Sequence, residues 1–172
     1  MSSQAKCALV LLFVGASLTG AHSPADDPGN AQQTLGRGYW VDPSTGLMWT
    51  AKDNGKDITW NGAIKYCREL RLAGYSDWRL PDMAALQPIY DSRVEAPGLA
   101  GPRKKQRDFT WHVKGNLFLT GIQWSSNLVF GDRGRPSGYA YYFDFNSGKP
   151  DEDQKGYADG KRALCVRHPI EK

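Results

Sequence analysis

Three cysteines constrain this 172-residue chain more than any other feature of its sequence. The first, Cys7, lies in a segment with the features of an export signal: Lys6 supplies a positive charge, residues 8–16 form an apolar run, and small residues stand at positions 21, 23 and 25. Removal of this signal leaves Cys67 and Cys165 as the remaining thiols. Because paired cysteines become disulfides in an oxidising compartment, we expect these two to pair. A cysteine nucleophile and a half-built metal site are the rival interpretations.

The predicted signal peptide covers residues 1–23, with cleavage between positions 21 and 25. Its apolar run is shorter than the roughly 20 residues that cross a bilayer, and an uncleaved interfacial anchor is the alternative. Residues 24–37 contain almost no large apolar side chain, which predicts a flexible lead-in. We expect the folded domain over residues 38–168, secreted or periplasmic, with no transmembrane segment after cleavage.

Local patterns predict the first elements of this domain. Two β-prone runs, Tyr39–Val41 and Leu47–Trp49, flank turn-forming residues and predict a hairpin. Thr59 is a candidate N-cap for a helix whose apolar residues recur at spacings of three and four. Asp82 is expected to cap a second, shorter helix that ends before Pro88.

The second half of the domain has a different pattern. Residues 92–108 are rich in Pro, Gly and basic side chains, which predicts a loop. Beyond them, short aromatic and β-branched runs alternate with Gly-rich turns, which predicts strands. The run Tyr139–Phe145 is almost continuously apolar and suits a strand that is covered on both faces or packed beside a groove.

Several motifs occur in an order that identifies a family. They are Asp42-Pro43-Ser44-Thr45-Gly46-Leu47-Met48-Trp49, then Trp60 and Ala63 leading to Cys67, then Ala73-Gly74-Tyr75-Ser76-Asp77-Trp78-Arg79-Leu80-Pro81, then Trp124-Ser125-Ser126, and finally Cys165-Val166-Arg167. This set resembles the bacterial DUF1566 domain, also called the Lcl C-terminal domain after a collagen-like adhesin of Legionella. The resemblance runs from about Tyr39 to Arg167.

The resemblance implies an α+β, C-type-lectin-like fold. Two helices are expected beside a small, mostly antiparallel sheet with long loops, and a disulfide is expected between the first helix and the last strand. Cys67 and Cys165 occupy those two places, in agreement with the cysteine count. The chain departs from the family at Asp82, where Ala85 follows in place of the Glu that completes a capping box. This departure concerns the stability of the second helix and leaves the fold assignment unchanged.

Patterns typical of catalysis are absent from the sequence. His112 and His168 lie far apart, and no nucleophile elbow, zinc-protease His pair or phosphate-binding Gly loop is present. The formylglycine-generating enzymes share the implied fold, but their chemistry needs an active-site pair of cysteines, and here the expected disulfide uses both thiols. We therefore expect no enzyme activity and no cofactor.

The implied fold makes calcium the metal to consider, because many C-type lectins hold sugars through Ca²⁺, which oxygen ligands bind. The Glu-Pro-Asn, Gln-Pro-Asp and Trp-Asn-Asp triplets of those lectins are absent from this sequence. The candidate calcium ligands are four residues that lie close together in the sequence, Asp144, Asn146, Asp151 and Asp153. A hairpin turn followed by a solvated acidic tail explains these four residues equally well, and we expect no metal.

A basic run is the most distinctive surface feature. Four positive charges, at Arg103, Lys104, Lys105 and Arg107, lie within five residues. Such a cluster attracts sulfated or phosphorylated polymers through charge that salt screens, and a solvated loop is the alternative. Nucleic acid would use the same charge, but export argues against that partner.

Most tryptophans stand at positions typical of the family and are expected in the core. Trp111, Tyr139 and Tyr141 have a less obvious structural role and are candidate ligand contacts. Together the features predict an exported, non-catalytic module that recognises an anionic glycan or a surface partner through the loops between residues 91 and 139. The resemblance to the Legionella adhesin, which binds sulfated polysaccharide, favours this function. The alternative is an accessory subunit of a cell-envelope assembly that docks one protein partner.

Overall fold

The computed structural model of the protein describes residues 28–101 and 105–168. Strands predominate over helices within these ranges, which confirms the predicted α+β class. The helices are α1 (Pro28–Arg37), α2 (Trp60–Glu69) and α3 (Met83–Leu86). The strands are β1 (Tyr39–Val41), β2 (Met48–Thr50), β3 (Ala96–Ala100), β4 (Arg107–Trp111), β5 (Ile122–Phe130), β6 (Pro136–Asp144), β7 (Lys149–Gln154), β8 (Lys161–Arg162) and β9 (Val166–Arg167).

Within the described ranges the strands form three small sheets. Their strand orders are β1-β2-β9, β3-β4 and β7-β6-β5-β8. Most neighbouring strands are antiparallel, and β5 with β8 is a parallel pair. Trp49 of β2 lies opposite Val166 of β9, so the beginning and the end of the domain adjoin.

The hairpin and the two helix caps predicted from local sequence are present. Trp40 of β1 pairs with Trp49 of β2. In the connecting turn the Asp42 carboxylate accepts a hydrogen bond from the backbone N–H of Ser44 at 3.0 Å. The side chains of Thr59 and Asp82 accept hydrogen bonds from backbone N–H groups at the starts of α2 and α3, as N-caps do.

Helix α2 holds one end of the disulfide. Ala63 and Cys67 form its buried face. Cys67 is bonded to Cys165, the residue before β9, and their Cα atoms are 5.5 Å apart. The predicted disulfide is therefore present, and it ties α2 to the start of the last strand.

The four-stranded sheet separates two hydrophobic clusters. Trp124 of β5 lies opposite Tyr142 of β6, and Gln123 lies opposite Phe143. Because successive side chains of a strand point to opposite faces, Trp124 and Tyr142 lie on one face and Phe143 on the other. The Trp124 face packs on α2 and the disulfide, while Phe143 packs in the second cluster. Residues 163–166 alternate between the two clusters.

A helix, α1, occupies most of the segment whose composition predicted a flexible lead-in. Pro28 stands at the first position of the helix. Proline has no backbone N–H, and at this position that group would have no partner within the helix. Gly38 adopts a left-handed φ of 80° and its N–H donates to Thr34 O at 3.0 Å, which closes the helix. Thr34 is 3% exposed, so packing as well as local sequence holds α1 in place.

The prediction of a loop over residues 92–108 was wrong for its middle and its end, where β3 and the start of β4 form a hairpin. Pro97 and Gly98 of β3 ordinarily argue against a strand. In this two-stranded sheet Pro97 lies at an exposed position. A Cβ on Gly98 would overlap the Leu119 carbonyl oxygen and the Trp111 ring. The glycine is therefore required by close packing, and the turn lies farther along the chain.

Some predictions concern residues that the structure leaves undescribed. The signal peptide, residues 1–23, lies outside the described residues, and so do Arg103 and Lys104 of the basic run. Within the described part of the chain, no helix combines the length and the apolar character needed to span a bilayer.

Candidate functional site

Two residues of the predicted basic run, Lys105 and Arg107, lie between β3 and β4 and at the start of β4. We call the described residues of these two strands and their connection, 96–101 and 105–111, the basic hairpin. Lys105 and Arg107 are exposed. Neither forms a salt bridge with any described residue. Arg107 and Asp108 are successive residues of β4 and point to opposite faces, so the acidic neighbour does not cover the cation. Since neither charge has a carboxylate partner in the described part of the chain, both can attract an external anion.

Hydrogen bonds to neighbouring segments hold the basic hairpin in position. Leu99 N–H donates to Leu119 O at 2.9 Å. Trp111 Nε1 donates to Leu99 O at 3.1 Å. Nearer the tip, Gln106 Nε2 donates to Thr120 O at 3.3 Å. The two cations are thus presented on a hairpin that is bonded to the body of the domain.

Trp111, a candidate ligand contact, lies in the core instead of on the surface. Its side chain is 4% exposed, and its ring packs with its centroid 4.7 Å from that of Phe109. The structure therefore corrects the prediction for Trp111, because a buried ring is not accessible to a ligand at the surface. A sequence signal was available in Gly98, because glycine within a strand marks a place where another group approaches the backbone closely.

Tyr139 and Tyr141 lie on β6, away from the basic hairpin. Tyr139 is 39% exposed and Tyr141 is half-buried. The residue that follows Tyr139 pairs with Leu128 of β5, whereas the basic hairpin touches Thr120 before β5 begins. The chain from residue 120 to residue 128 is largely extended, and its eight residue-to-residue steps correspond to about 25 Å. The structure does not combine these tyrosines with the basic hairpin in one compact site.

Two of the candidate metal ligands belong to the turn between β6 and β7. The Asp144 carboxylate accepts hydrogen bonds from Asn146 N–H at 2.8 Å and from Ser147 Oγ at 2.9 Å. This is the pattern of an Asx turn. Across residues 28–101 and 105–168, no group of three or more His, Cys, Asp or Glu side chains is arranged to hold a metal ion.

The other two candidates, Asp151 and Asp153, stand on β7 and have side-chain partners. The Tyr142 hydroxyl donates to Asp151 Oδ2 at 3.0 Å. Burial is the main cause that raises the pKa of Tyr142 to about 12, and the Asp151 carboxylate acts in the same direction. Asp153 Oδ2 forms a salt bridge with Lys161 Nζ at 2.9 Å, and that ammonium lies 4.3 Å from the Tyr142 ring centroid. Metal binding by Asp153 would leave a nearly buried lysine without its counterion.

The aromatic and acidic residues of the motif 74–81 contact the last strand. The Arg167 guanidinium lies 3.7 Å from the centroid of the Tyr75 ring. It also donates twice to Asp77, from Nε to Oδ1 at 2.7 Å and from Nη2 to Oδ2 at 3.1 Å. These hydrogen bonds lower the pKa of Asp77. The motif therefore has a structural role in this fold.

The folded region matches a known protein family. A model of the Lcl C-terminal domain matches residues 38–167. The chain belongs to the Lcl C-terminal domain family. In this Lcl C-terminal domain two of the motifs bond directly, since Arg79 and Val166 exchange two backbone hydrogen bonds of 2.9 Å each. No curated protein matches the sequence significantly.

Sequence reasoning missed a buried polar cluster beside the basic hairpin. Asp53 is 4% exposed, and its carboxylate accepts hydrogen bonds from Thr120 N–H at 2.7 Å and from Gln123 Nε2 at 2.9 Å. Burial raises the pKa of Asp53, while these donors act in the opposite direction. Arg162, fully buried, donates from Nε to Thr120 Oγ1 at 2.8 Å and pairs with Asp57. The cluster fixes Thr120, which in turn holds the basic hairpin.

A second missed feature is the outer part of the β5–β6 hairpin, which we call the arm (residues 127–139). Phe130 is 60% exposed. Arg133 and Arg135 are exposed in the turn, and neither forms a salt bridge with a described residue. The signal in the sequence was the segment 131–135, Gly-Asp-Arg-Gly-Arg, whose turn formers stand between two β-prone runs.

Proposed function

We propose that this Lcl C-terminal domain is an exported, non-catalytic binding module that recognises an anionic glycan through the basic hairpin. One observation carries the proposal: Lys105 and Arg107 are exposed and without a carboxylate partner among the described residues. The Cys67–Cys165 disulfide supports export, because such bonds persist in oxidising compartments. The cleavable signal peptide predicted from the sequence adds to this support, and we propose a secreted or periplasmic location.

The proposal includes a C-type-lectin-like fold. Two helices, α2 and α3, accompany mostly antiparallel sheets. Strands β2 and β9 adjoin, and a disulfide ties α2 to the start of β9. These are the features that the family resemblance implied. A shared fold does not by itself assign a ligand, so the proposed ligand class rests on the charges of the basic hairpin.

Lys105 and Arg107, exposed and unpaired among the described residues, favour sulfate or phosphate groups over neutral sugars. Arg107 carries a planar guanidinium whose N–H groups match two oxygen atoms of such an anion, and Lys105 adds a compact positive charge. Both act without a metal ion. The proposed binding is therefore calcium-independent and weakens as salt screens the charges.

Chromatography on immobilised heparin tests the proposal with the mature, oxidised protein. Lys105→Ala/Arg107→Ala removes the two described cations of the basic hairpin. Arg133→Ala/Arg135→Ala is the matched control, because it removes two exposed cations from the arm and changes net charge equally. We expect the wild type and the control to elute at similar salt concentrations, and the basic-hairpin variant to elute earlier. EDTA should leave all three elution positions unchanged.

Three results would contradict the proposal. Equal losses in the two variants would mean that net charge alone sets retention. Loss of retention in EDTA would indicate a calcium-dependent site. Absence of retention for the wild type at low salt, together with a stoichiometric protein that co-purifies with it, would favour the accessory subunit of an envelope assembly.

A further inference from the structure

The four-stranded sheet has two edge strands among the described residues, β8 and β7. The segment 54–58 covers the outer side of β8, since Ile58 N–H donates to Lys161 O at 3.2 Å. In the described structure no other strand pairs with the outer side of β7, and all but one of its residues are exposed. An exposed edge strand is a template on which a strand of another molecule can pair. The backbone groups along β7 therefore decide whether this sheet can be extended.

The residues of β7 alternate in the direction of their backbone groups. In an antiparallel pair, residues that exchange hydrogen bonds with the neighbouring strand alternate with residues whose N–H and C=O groups point away from it. Lys155 N–H, directly after β7, donates to Gly138 O of β6 at 2.9 Å. The odd-numbered residues of β7 therefore face β6 across the register of the two strands. Positions 150, 152 and 154 face outward.

None of these three outward positions has an unbonded N–H group. Position 150 is Pro150, and proline has no backbone N–H. Glu152 N–H donates to Asp151 Oδ1 at 2.8 Å. Gln154 N–H donates to Asp153 Oδ1 at 2.7 Å. Every outward donor of this edge is thus missing or already bonded to a side chain of its own strand.

The two capping carboxylates are held in place by the rest of the sheet. The second oxygen of Asp151 accepts a hydrogen bond from the Tyr142 hydroxyl at 3.0 Å. The second oxygen of Asp153 forms a salt bridge with Lys161 Nζ at 2.9 Å, and Lys161 is 5% exposed. Each aspartate therefore bonds an edge N–H with one oxygen and an anchored side chain with the other. A side chain that is already ordered in this way loses little further entropy by capping.

We propose that Pro150, Asp151 and Asp153 block the addition of a strand to β7. Backbone hydrogen bonds give strand addition its affinity. An incoming strand would meet outward carbonyl groups on β7 but no N–H donor. Its own carbonyl groups would lose water without gaining a partner, which is unfavourable. The sheet is thereby protected from edge-to-edge association, and this protection is independent of the ligand of the basic hairpin.

Two double variants of equal net charge test the caps in the mature, oxidised protein. Asp151→Ala/Asp153→Ala removes both capping oxygens, whereas Asp151→Asn/Asp153→Asn keeps an acceptor oxygen at each position. We expect the alanine variant to self-associate roughly tenfold or more tightly than the asparagine variant, because its outward N–H groups are unbonded. Sedimentation over roughly 1 to 300 µM measures the difference. Adding Pro150→Thr to the alanine variant should strengthen association further, since threonine supplies another donor and favours strands.

A loss of stability also promotes association, and Thr59→Ala controls for it. This change removes the N-cap of α2 and leaves β7 as it is. We expect Thr59→Ala to associate no more than the wild type, with thermal unfolding used to compare the stabilities of all variants. Equal association of the alanine and asparagine variants would overturn the proposal, because charge alone would then protect the edge. So would an alanine variant that associates no more than the wild type or than Thr59→Ala.

Amide hydrogen exchange tests the caps without relying on association. At a concentration where the proteins are monomeric, the N–H groups of Glu152 and Gln154 should exchange roughly tenfold or more slowly in the wild type than in Asp151→Ala/Asp153→Ala. Tyr142→Phe removes the hydroxyl that holds Asp151, so it should speed exchange at Glu152 and leave Gln154 unchanged. Exchange rates that are the same in the wild type and the alanine variant would show that the caps do not protect these groups, and the proposal would fail.

Discussion

The last strand region and the basic hairpin both carry clustered positive charges, yet they use them differently. Residues 161–167 contain three cations that are almost fully buried, and each has an aspartate partner: Lys161 with Asp153, Arg162 with Asp57, and Arg167 with Asp77. Lys105 and Arg107 of the basic hairpin are exposed, and neither has such a partner in the described structure. The comparison shows that burial and pairing, more than residue type, separate structural charges from charges that can bind a ligand.

Desolvation explains the difference. A buried guanidinium loses its hydration, and the loss has to be offset by a counterion and hydrogen bonds. An exposed cation keeps its water and can exchange it for an anionic group of a ligand. Substitutions in the buried region should therefore lower the stability of the fold strongly. Substitutions in the basic hairpin should instead weaken ligand binding.

The largest expected effect comes from the disulfide that anchors the buried region. Cys67→Ala/Cys165→Ala removes a cross-link between residues 98 positions apart. By the chain-entropy argument the free energy of unfolding should fall by roughly 4 kcal/mol. Urea unfolding followed by tryptophan fluorescence measures this change, and a loss below about 1 kcal/mol would show that packing alone anchors the last strand.

A pair of arginine substitutions tests the comparison directly. Arg162→Met leaves Asp57 without its counterion and Thr120 Oγ1 without its donor. We expect the free energy of unfolding to fall by about 2 to 3 kcal/mol, below the full cost of breaking a buried pair because Asp57 is partly exposed. Arg107→Met is the matched control, with an expected change within about 0.5 kcal/mol. Similar losses in the two variants would remove the distinction between the regions.

The smallest expected effect is a loss of stability in acid that arises from the ion pair between Arg167 and Asp77. Hydrogen bonds from Arg167 lower the folded-state pKa of Asp77 below its ordinary value of 3.8. The pair therefore stabilises the fold above that ordinary value, and the contribution is lost as pH falls from there through the folded pKa. Because the Asp77 side chain is 52% exposed, the effect should not exceed about 1 kcal/mol.

Asp77→Asn checks this dependence. Thermal unfolding from neutral pH to below 3 should show a smaller acid-induced decrease in the variant than in the wild type, with the two curves converging in acid. Parallel curves with a constant offset would mean that ionisation of Asp77 makes no contribution.

Features that depend on neighbouring residues were predicted well from the sequence. The Asp42 turn and the caps at Thr59 and Asp82 each involve a side chain and a backbone group two or three residues away. Features that depend on distant partners were missed. The strand at Pro97 and Gly98 and the burial of Trp111 follow from packing against one another and against residue 119, which no local pattern records.

By itself the sequence determined the pairing of Cys67 with Cys165, the family, the first hairpin and the two helix caps, because the thiol count, ordered motifs and short-range hydrogen bonds can all be read along the chain. The tertiary structure alone decided which of the described cations are buried against a carboxylate, that the β6 tyrosines lie far from the basic hairpin, and that Phe130 of the arm is exposed. The physical reason is that burial and pairing depend on contacts between distant residues, such as Arg167 with Asp77 at a separation of 90 and Arg162 with Asp57 at a separation of 105.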